Sequence, residues 1–208
     1  MTSASYLATA VSALIAYLIG GLPFGYLFVR FSLGVDVRTI GSGNIGATNV
    51  HRAAGGKAGA IVLLLDILKG FVAVWLASVI SPENAAAIAA AIVAVMLGHC
   101  YPVFLRFRGG KAVACFIGAF LFVAPAAILA TALIFFVVFA ATKYVSLSSI
   151  AGALVFPAVL WGLVRPAGPI LAGSILAALL VVYRHKANIQ RIRTGSEPAF
   201  SFKGGAAR

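Results

Sequence analysis

The sequence predicts an all-α polytopic membrane protein, and three observations carry that prediction. The 208 residues are 62% hydrophobic and 10% charged, with a mean hydropathy of +1.09, whereas soluble domains carry about 25% charged residues. Seven apolar runs follow one another along the chain, separated by short polar segments. The cations gather in alternate gaps between those runs, the asymmetry that orients membrane proteins. The whole chain, 1–208, reads as a single integral membrane domain.

The runs in order are Tyr6–Val29, Ala58–Ile80, Ala85–Leu97, Ala112–Ala124, Ala126–Ala141, Ser148–Val164 and Pro169–Tyr183. A span needs about 20 residues, so the first two are ample and the third to fifth are short. Gly20, Gly21 and Pro23 interrupt the first run and predict a bend. Ser81-Pro82-Glu83 predicts a helix start, with a capping hydroxyl, a first-turn proline and a carboxylate at the positive dipole end. Pro125 leaves either two short helices or one kinked helix. After Tyr183 the chain is too polar to span, and a basic amphipathic helix along the inner face is expected.

Charge selects among the span counts. Seven spans with the N-terminus outside place Arg30, Arg38, Arg52, Lys57, Arg106, Arg108, Lys111 and Lys143 in inner loops. The cytoplasmic C-terminal segment then adds Arg184, Lys186, Arg191, Arg193, Lys203 and Arg208; Arg165 alone falls outside, and Lys69 lies within a span. Five spans, the alternative, expose Lys143 and bury Arg165. Seven satisfies the positive-inside rule best.

The net charge of +12 would suggest nucleic acid in a soluble protein. Here topology and anionic head groups account for it, so no nucleic acid is expected. Cys100 and Cys115 predict neither a disulfide nor, lacking a Cys–His cluster at ligand spacing, a metal site. No Lys or Arg precedes the first apolar run, which reads as a span rather than a signal peptide.

Three polar stretches stand out. Gly41-Ser42-Gly43-Asn44-Ile45-Gly46-Ala47-Thr48-Asn49-Val50-His51-Arg52 joins closely spaced glycines to hydroxyl and amide donors and one guanidinium. Such a loop can turn successive backbone N–H groups toward an anion, and Arg52 offers a planar fork for phosphate. Gly41, Gly43 and Gly46 with Asp66 mimic a dinucleotide fingerprint, but no strand precedes them, which excludes that reading. The second stretch, Gly98-His99 through Gly109-Gly110-Lys111, is expected to end in a flexible glycine turn that delivers an ammonium at the entry to a helix. Its Arg–aromatic alternation otherwise suits a membrane interface. In the third, Arg184 to Arg191, His185 and Asn188 share a helical face that Arg191 continues, and Glu197 can pair with an arginine. Asp66 and Lys69, i,i+3 in an apolar helix, predict a structural ion pair.

Together these stretches resemble the bacterial acyl-phosphate:glycerol-3-phosphate acyltransferases of the PlsY type. The resemblance rests on Ser42–Asn49 with Arg52, Gly98-His99 with Gly109-Gly110-Lys111, and His185, Asn188 and Gly195-Ser196-Glu197, and it extends to Leu65-Asp66 and Lys69-Gly70. Two positions depart from it: Ala112 replaces a usual glycine, and His51 a usual aliphatic residue. The resemblance implies seven helices in the bacterial cytoplasmic membrane, with the motifs facing the cytoplasm. It implies transfer of a fatty acyl group from acyl phosphate to the 1-hydroxyl of glycerol 3-phosphate, yielding lysophosphatidic acid and phosphate, the first step of phospholipid synthesis, without metal, cofactor or acyl-CoA. A monomer is expected.

An acyl phosphate is an activated mixed anhydride, so positioning and charge neutralisation suffice. Arg52 and Lys111 are expected to clamp the acceptor phosphate. Ser42, Gly43, Asn44, Gly46, Thr48 and Asn49 are expected to hold the acyl phosphate, with Gly109 and Gly110 as further phosphate donors. His185 and Asn188 orient the hydroxyl, with Ser42 beside the reacting centre and the proton passing to His185 or to the donor phosphate. Glu197, Asp66 and Lys69 are supports. Ser42 as a transient acyl acceptor stays open. The rivals are a small transporter of a phosphate-bearing anion and a lipid-binding scaffold.

Overall fold

A computed structural model describes residues 3–201, so Lys203 and Arg208 lie outside the described residues. Ten α-helices follow in chain order: α1 Ser3–Gly20, α2 Phe24–Leu33, α3 Ala47–Ala54, α4 Gly56–Ile80, α5 Ala85–Cys100, α6 Val113–Val123, α7 Pro125–Thr142, α8 Val145–Val164, α9 Gly168–Arg184 and α10 Lys186–Arg193. No strand occurs among the described residues.

Five helical stretches are long and apolar enough to cross a bilayer: Ser3–Leu33, Gly56–Ile80, Ala85–Leu105, Pro125–Thr142 and Val145–Val164. The pair α9–α10, bent by 54°, makes a sixth if it is one span, and α6 is apolar but shorter, with 11 residues. By length alone the described residues therefore hold five or six spans. The expected bend in the first run is a full break between α1 and α2 at residues 21–23. Pro125 separates two helices, because Ala124 leaves the helical region (φ −151°, ψ 67°) and Pro125 opens α7, where its missing N–H costs nothing.

One predicted boundary moves. Ser81 closes α4 instead of opening α5, and Asn84 caps α5 by accepting from the amides of Ala86 and Ala87 at 3.1 and 3.2 Å. Glu83 has φ +58°, so the Ser-Pro-Glu sequence forms the turn before the helix and Asn84 supplies the cap.

The helices pack as α1 on α5, α4 on α6 and α7 on α8, with α9 against α5 and α8. Phe116, Phe120 and Phe156 meet at the centre with ring centroids 4.5–4.9 Å apart, distances at which edge and tilted aromatic pairs attract. The α4–α6 crossing requires Gly70 and Gly118, since a Cβ on either would collide with the backbone of Cys115 or Ile67. Large apolar side chains such as Leu64, Leu68, Leu129, Leu133 and Val137 are exposed on the outside. That is wrong for water and right for lipid. A smaller cluster of Val29, Val37, Ile45, Val50, Ala58, Val62 and Leu105 ties the first polar stretch to α2, α3 and α4.

Candidate active site

The three polar stretches meet around one cavity of about 500 Å³. Ser42, Asn44, Gly46, Thr48, Asn49 and Arg52 line it from the first stretch, Lys111 from the second, and His185, Asn188, Arg191 and Glu197 from the third. Beyond this polar end the wall becomes apolar, with Leu63, Ile117, Ile128, Ala132, Phe135 and Phe136. Leu63 and Phe136 are also exposed on the outer surface, so the apolar end borders the space lipid occupies.

The first stretch is a loop running into a helix. Gly41 and Gly43 adopt positive φ (55° and 67°), a region open to glycine at little cost. From Gly46 the backbone becomes α3, whose first amides point outward as donors. Thr48 lies in that first turn and Arg52 one turn on. Asn49 has a different job from the one expected. It is buried, and its amide donates to the carbonyls of Val37 (3.1 Å), Ile40 (3.0 Å) and Asn44 (2.9 Å) while its Oδ1 accepts from the Ser42 amide (3.0 Å). Its side chain thus builds the loop and has no donor left for a phosphate. Asn44 accepts the Gly46 amide at 2.7 Å, leaving its own NH₂ group for the cavity. Gly43 lies outside the main cavity, in a second, more open pocket that Arg38, Arg108 and Arg184 also line.

The second stretch is pinned, where a flexible turn was expected. The amides of Gly109 and Gly110 donate to the carbonyls of Cys100 (3.2 Å) and His99 (2.9 Å), so neither is available to phosphate. The glycines serve close approach: a Cβ at Gly110 would strike His99 Nε2, and one at Gly109 would strike the His99 carbonyl and Pro102. Beneath them the expected pair forms, with Lys69 Nζ 2.7 Å from Asp66 Oδ1 and 2.8 Å from the Leu22 carbonyl. His99 Nδ1 lies 3.7 Å from the same carboxylate oxygen. Asp66, His99 and Cys115 offer ligand atoms within 4.8 Å of one another, a grouping the linear spacing hid. The Lys69 ammonium already neutralises the carboxylate there, which disfavours a cation.

Lys111 emerges from this platform and donates to Asn188 Oδ1 at 2.5 Å. The Asn188 amide donates to Glu197 Oε1 at 2.6 Å, Ser146 donates to the same oxygen at 2.5 Å, and Arg191 Nε donates to Oε2 at 2.8 Å. Glu197 thus locks the third stretch, as its sequence position suggested, but Ser146 was missed. The signal was there, in the hydroxyls of Ser146, Ser148 and Ser149 opening an otherwise apolar helix. All three line the cavity.

Burial pushes the Lys111 ammonium down to about 8; Glu197 opposes the fall, and Arg191, Arg52 and Arg184 add to it. Burial, then the charge of Lys111, takes His185, just beyond the end of α9, to about 4. His185 Nδ1 lies 2.7 Å from the Val181 carbonyl, which can only accept, so Nδ1 carries the proton and Nε2 is an acceptor. Burial raises Glu197, but hydrogen bonds from Ser146, Asn188 and Arg191 outweigh it and hold the carboxyl below its ordinary value. Among the described residues Arg52 forms no ion pair. The polar end therefore sets three cations, Arg52, Lys111 and Arg191, against the carboxylate of Glu197, while Asp66, also in the cavity wall, is already paired with Lys69; that surplus suits phosphate.

The family model described as glycerol-3-phosphate acyltransferase matches residues 10–195. The chain belongs to that family. It is 44% identical over 196 residues to a glycerol-3-phosphate acyltransferase of Geobacillus kaustophilus, covering 94% of this chain and 98% of the relative. It is also 44% identical over 186 residues to one of Geotalea daltonii, covering 89% and 94%. Two crystal structures of PlsY (YgiH), described as an integral membrane glycerol 3-phosphate acyltransferase, share the fold. The glycerol 3-phosphate form superposes with TM-score 0.87 at 38% identity, covering 93% of this chain and 96% of that one. The lysophosphatidic acid form gives 0.85 at 36%, covering 94% and 97%. The shared fold is an all-helical integral membrane architecture.

Proposed function

We propose that this protein transfers a fatty acyl group from acyl phosphate to the 1-hydroxyl of glycerol 3-phosphate, giving lysophosphatidic acid and inorganic phosphate. One observation carries the reading: a single cavity joins a cationic, donor-rich end to an apolar end at the lipid-facing surface. A donor with a phosphate head and a long apolar tail has that same polarity. The family membership and the substrate and product forms of the matched PlsY structures support it.

Arg52 and Lys111 clamp the acceptor phosphate. The α3 N-terminus with Ser42, Asn44 and Thr48 takes the acyl phosphate, and the acyl chain lies along the apolar wall. Asn188 is held by Lys111 and Glu197, and it fixes the floor beside His185. The neutral His185 accepts a hydrogen bond from the 1-hydroxyl at Nε2, turning the oxygen lone pair toward the acyl carbonyl. As the new C–O bond forms, the anhydride C–O bond breaks and phosphate departs. An imidazole near 4 is a far weaker base than the oxygen freed on the departing phosphate, so the proton ends on phosphate. Mixed anhydrides need no enzyme nucleophile, and Ser42 serves as a donor at the reacting centre.

The topology that goes with this chemistry has seven spans. Counting α1–α2 as one, then α4, α5, α6, α7, α8 and α9, the N-terminus is outside and the cavity opens to the cytoplasm of a bacterial inner membrane. The enzyme acts as a monomer. The transport alternative loses ground because Lys69, the cation at mid-membrane depth, is tied to Asp66 and the Leu22 carbonyl. In purified, folded protein, Arg52→Ala lowers turnover by orders of magnitude. A rate near that of the unsubstituted enzyme would sink the clamp.

A further inference from the structure

Arg184 lies outside the reacting groups yet touches what holds them. Its Nε donates to the Gly110 carbonyl at 3.0 Å and one terminal nitrogen to the Gly109 carbonyl at 3.2 Å. Its guanidinium stacks on Tyr101, 4.8 Å from the ring centroid, and Tyr17 of α1 donates to the Tyr101 carbonyl at 2.8 Å. The glycine pair is therefore gripped along both edges, its amides by His99 and Cys100 and its carbonyls by one planar fork. Lys111 follows directly in sequence, and His185 directly follows Arg184. A single side chain thus sets the spacing between the cation on one stretch and the imidazole on another.

We propose that Arg184 is a positioning residue for the acceptor phosphate: its fork fixes the Gly109–Gly110 segment so that Lys111 and the His185–Asn188 face stay in register. This rests on the reading that Lys111 binds that phosphate. A lysine cannot replace the fork, because one ammonium cannot hold two successive carbonyls in a plane. The consequence is selective. The hydrogen bonds of the Arg184 fork go to the Gly109 and Gly110 carbonyls and not to Ser42, Asn44 or Thr48 of the acyl-phosphate side, so losing the fork weakens one substrate and spares the other.

The test is steady-state kinetics of purified Arg184→Ala, Arg184→Lys and Lys111→Ala with both substrates varied, each variant first checked for a monodisperse peak and a thermal transition. For Arg184→Ala the expected result is a KM for glycerol 3-phosphate raised about tenfold or more, as for loss of a charge-assisted bidentate contact. The KM for acyl phosphate stays within about twofold. Arg184→Lys recovers little of the loss, and it carries the test alone if Arg184→Ala does not fold. An unchanged acceptor KM in both Arg184 variants, with Lys111→Ala raising it, overturns the positioning role and leaves the function standing. Equal increases for both substrates, or full rescue by lysine, overturn it too. If Lys111→Ala leaves acceptor kinetics unchanged, the reading of Lys111 fails first.

Discussion

Because Lys111 is depressed to about 8, its charge titrates in a range where a surface lysine is still fully protonated. The cause is burial, which disfavours the ammonium, only partly offset by Glu197. The clamp needs the charged form, present below the pKa and lost as pH rises through it. From pH 7 to pH 9 the protonated fraction falls from about 90% to about 10%, so kcat/KM for glycerol 3-phosphate should fall about tenfold. On the acid side the acceptor phosphate itself gains a proton near pH 6, so the profile is a bell. Lys111→Arg, permanently charged, should move the alkaline limb beyond pH 10 even if its maximum rate is lower. Stability runs the other way. The folded pKa lies below the unfolded value, so folding favours the neutral amine, and stability should rise, not fall, between about pH 8 and 10.5. The assay is initial rate at subsaturating glycerol 3-phosphate from pH 5.5 to 10, with thermal unfolding in the same buffers. A flat alkaline limb, or one that Lys111→Arg leaves in place, would refute the assignment.

Three further substitutions follow from the packing. Asn49→Ala strips the partner from three loop carbonyls and the Ser42 amide, costing roughly 2–4 kcal/mol; the midpoint should drop by about 5–10 °C, and an unchanged midpoint would contradict the loop-building role. Gly110→Ala drives a methyl group into His99 and should displace Lys111, so that activity is lost by orders of magnitude with about 1–3 kcal/mol of destabilisation; normal activity would show that the close approach is dispensable. Ala112 holds φ +58°, where a Cβ is strained, so Ala112→Gly should stabilise by up to about 1 kcal/mol after its greater unfolded-state entropy is counted. A clear loss of thermal stability would mean that the methyl group is needed in the cavity wall.

Much of this molecule was legible in its sequence because apolar patterning and charge placement act on long segments. Each of the seven runs became helix, and the three polar stretches converged as their chemistry suggested. What was not legible depends on contacts distant in sequence. Asn49 looks like one more phosphate donor until Val37, Ile40 and Asn44 are seen around it. Gly109 and Gly110 read as a flexible turn, and only the fold shows that His99 leaves no room for a side chain. Ser146 found its purpose 51 residues away on Glu197. Span number resisted for another reason: α6 is short and α9–α10 is bent, so length and hydropathy alone give five or six where charge placement favours seven. The C-terminal segment shows the same limit. His51, an odd residue for its position, stacks on Phe200 at 4.9 Å and contacts the Ser201 carbonyl at 3.0 Å, a pairing no local pattern announces.

The most direct measurement is phosphate release by the purified protein in lipid, given palmitoyl phosphate with and without glycerol 3-phosphate, with palmitoyl-CoA as the parallel donor. Acyl transfer predicts phosphate release that requires the acceptor, is matched by lysophosphatidic acid and does not occur from the CoA thioester. Release without acceptor, or none from a folded sample, would contradict it.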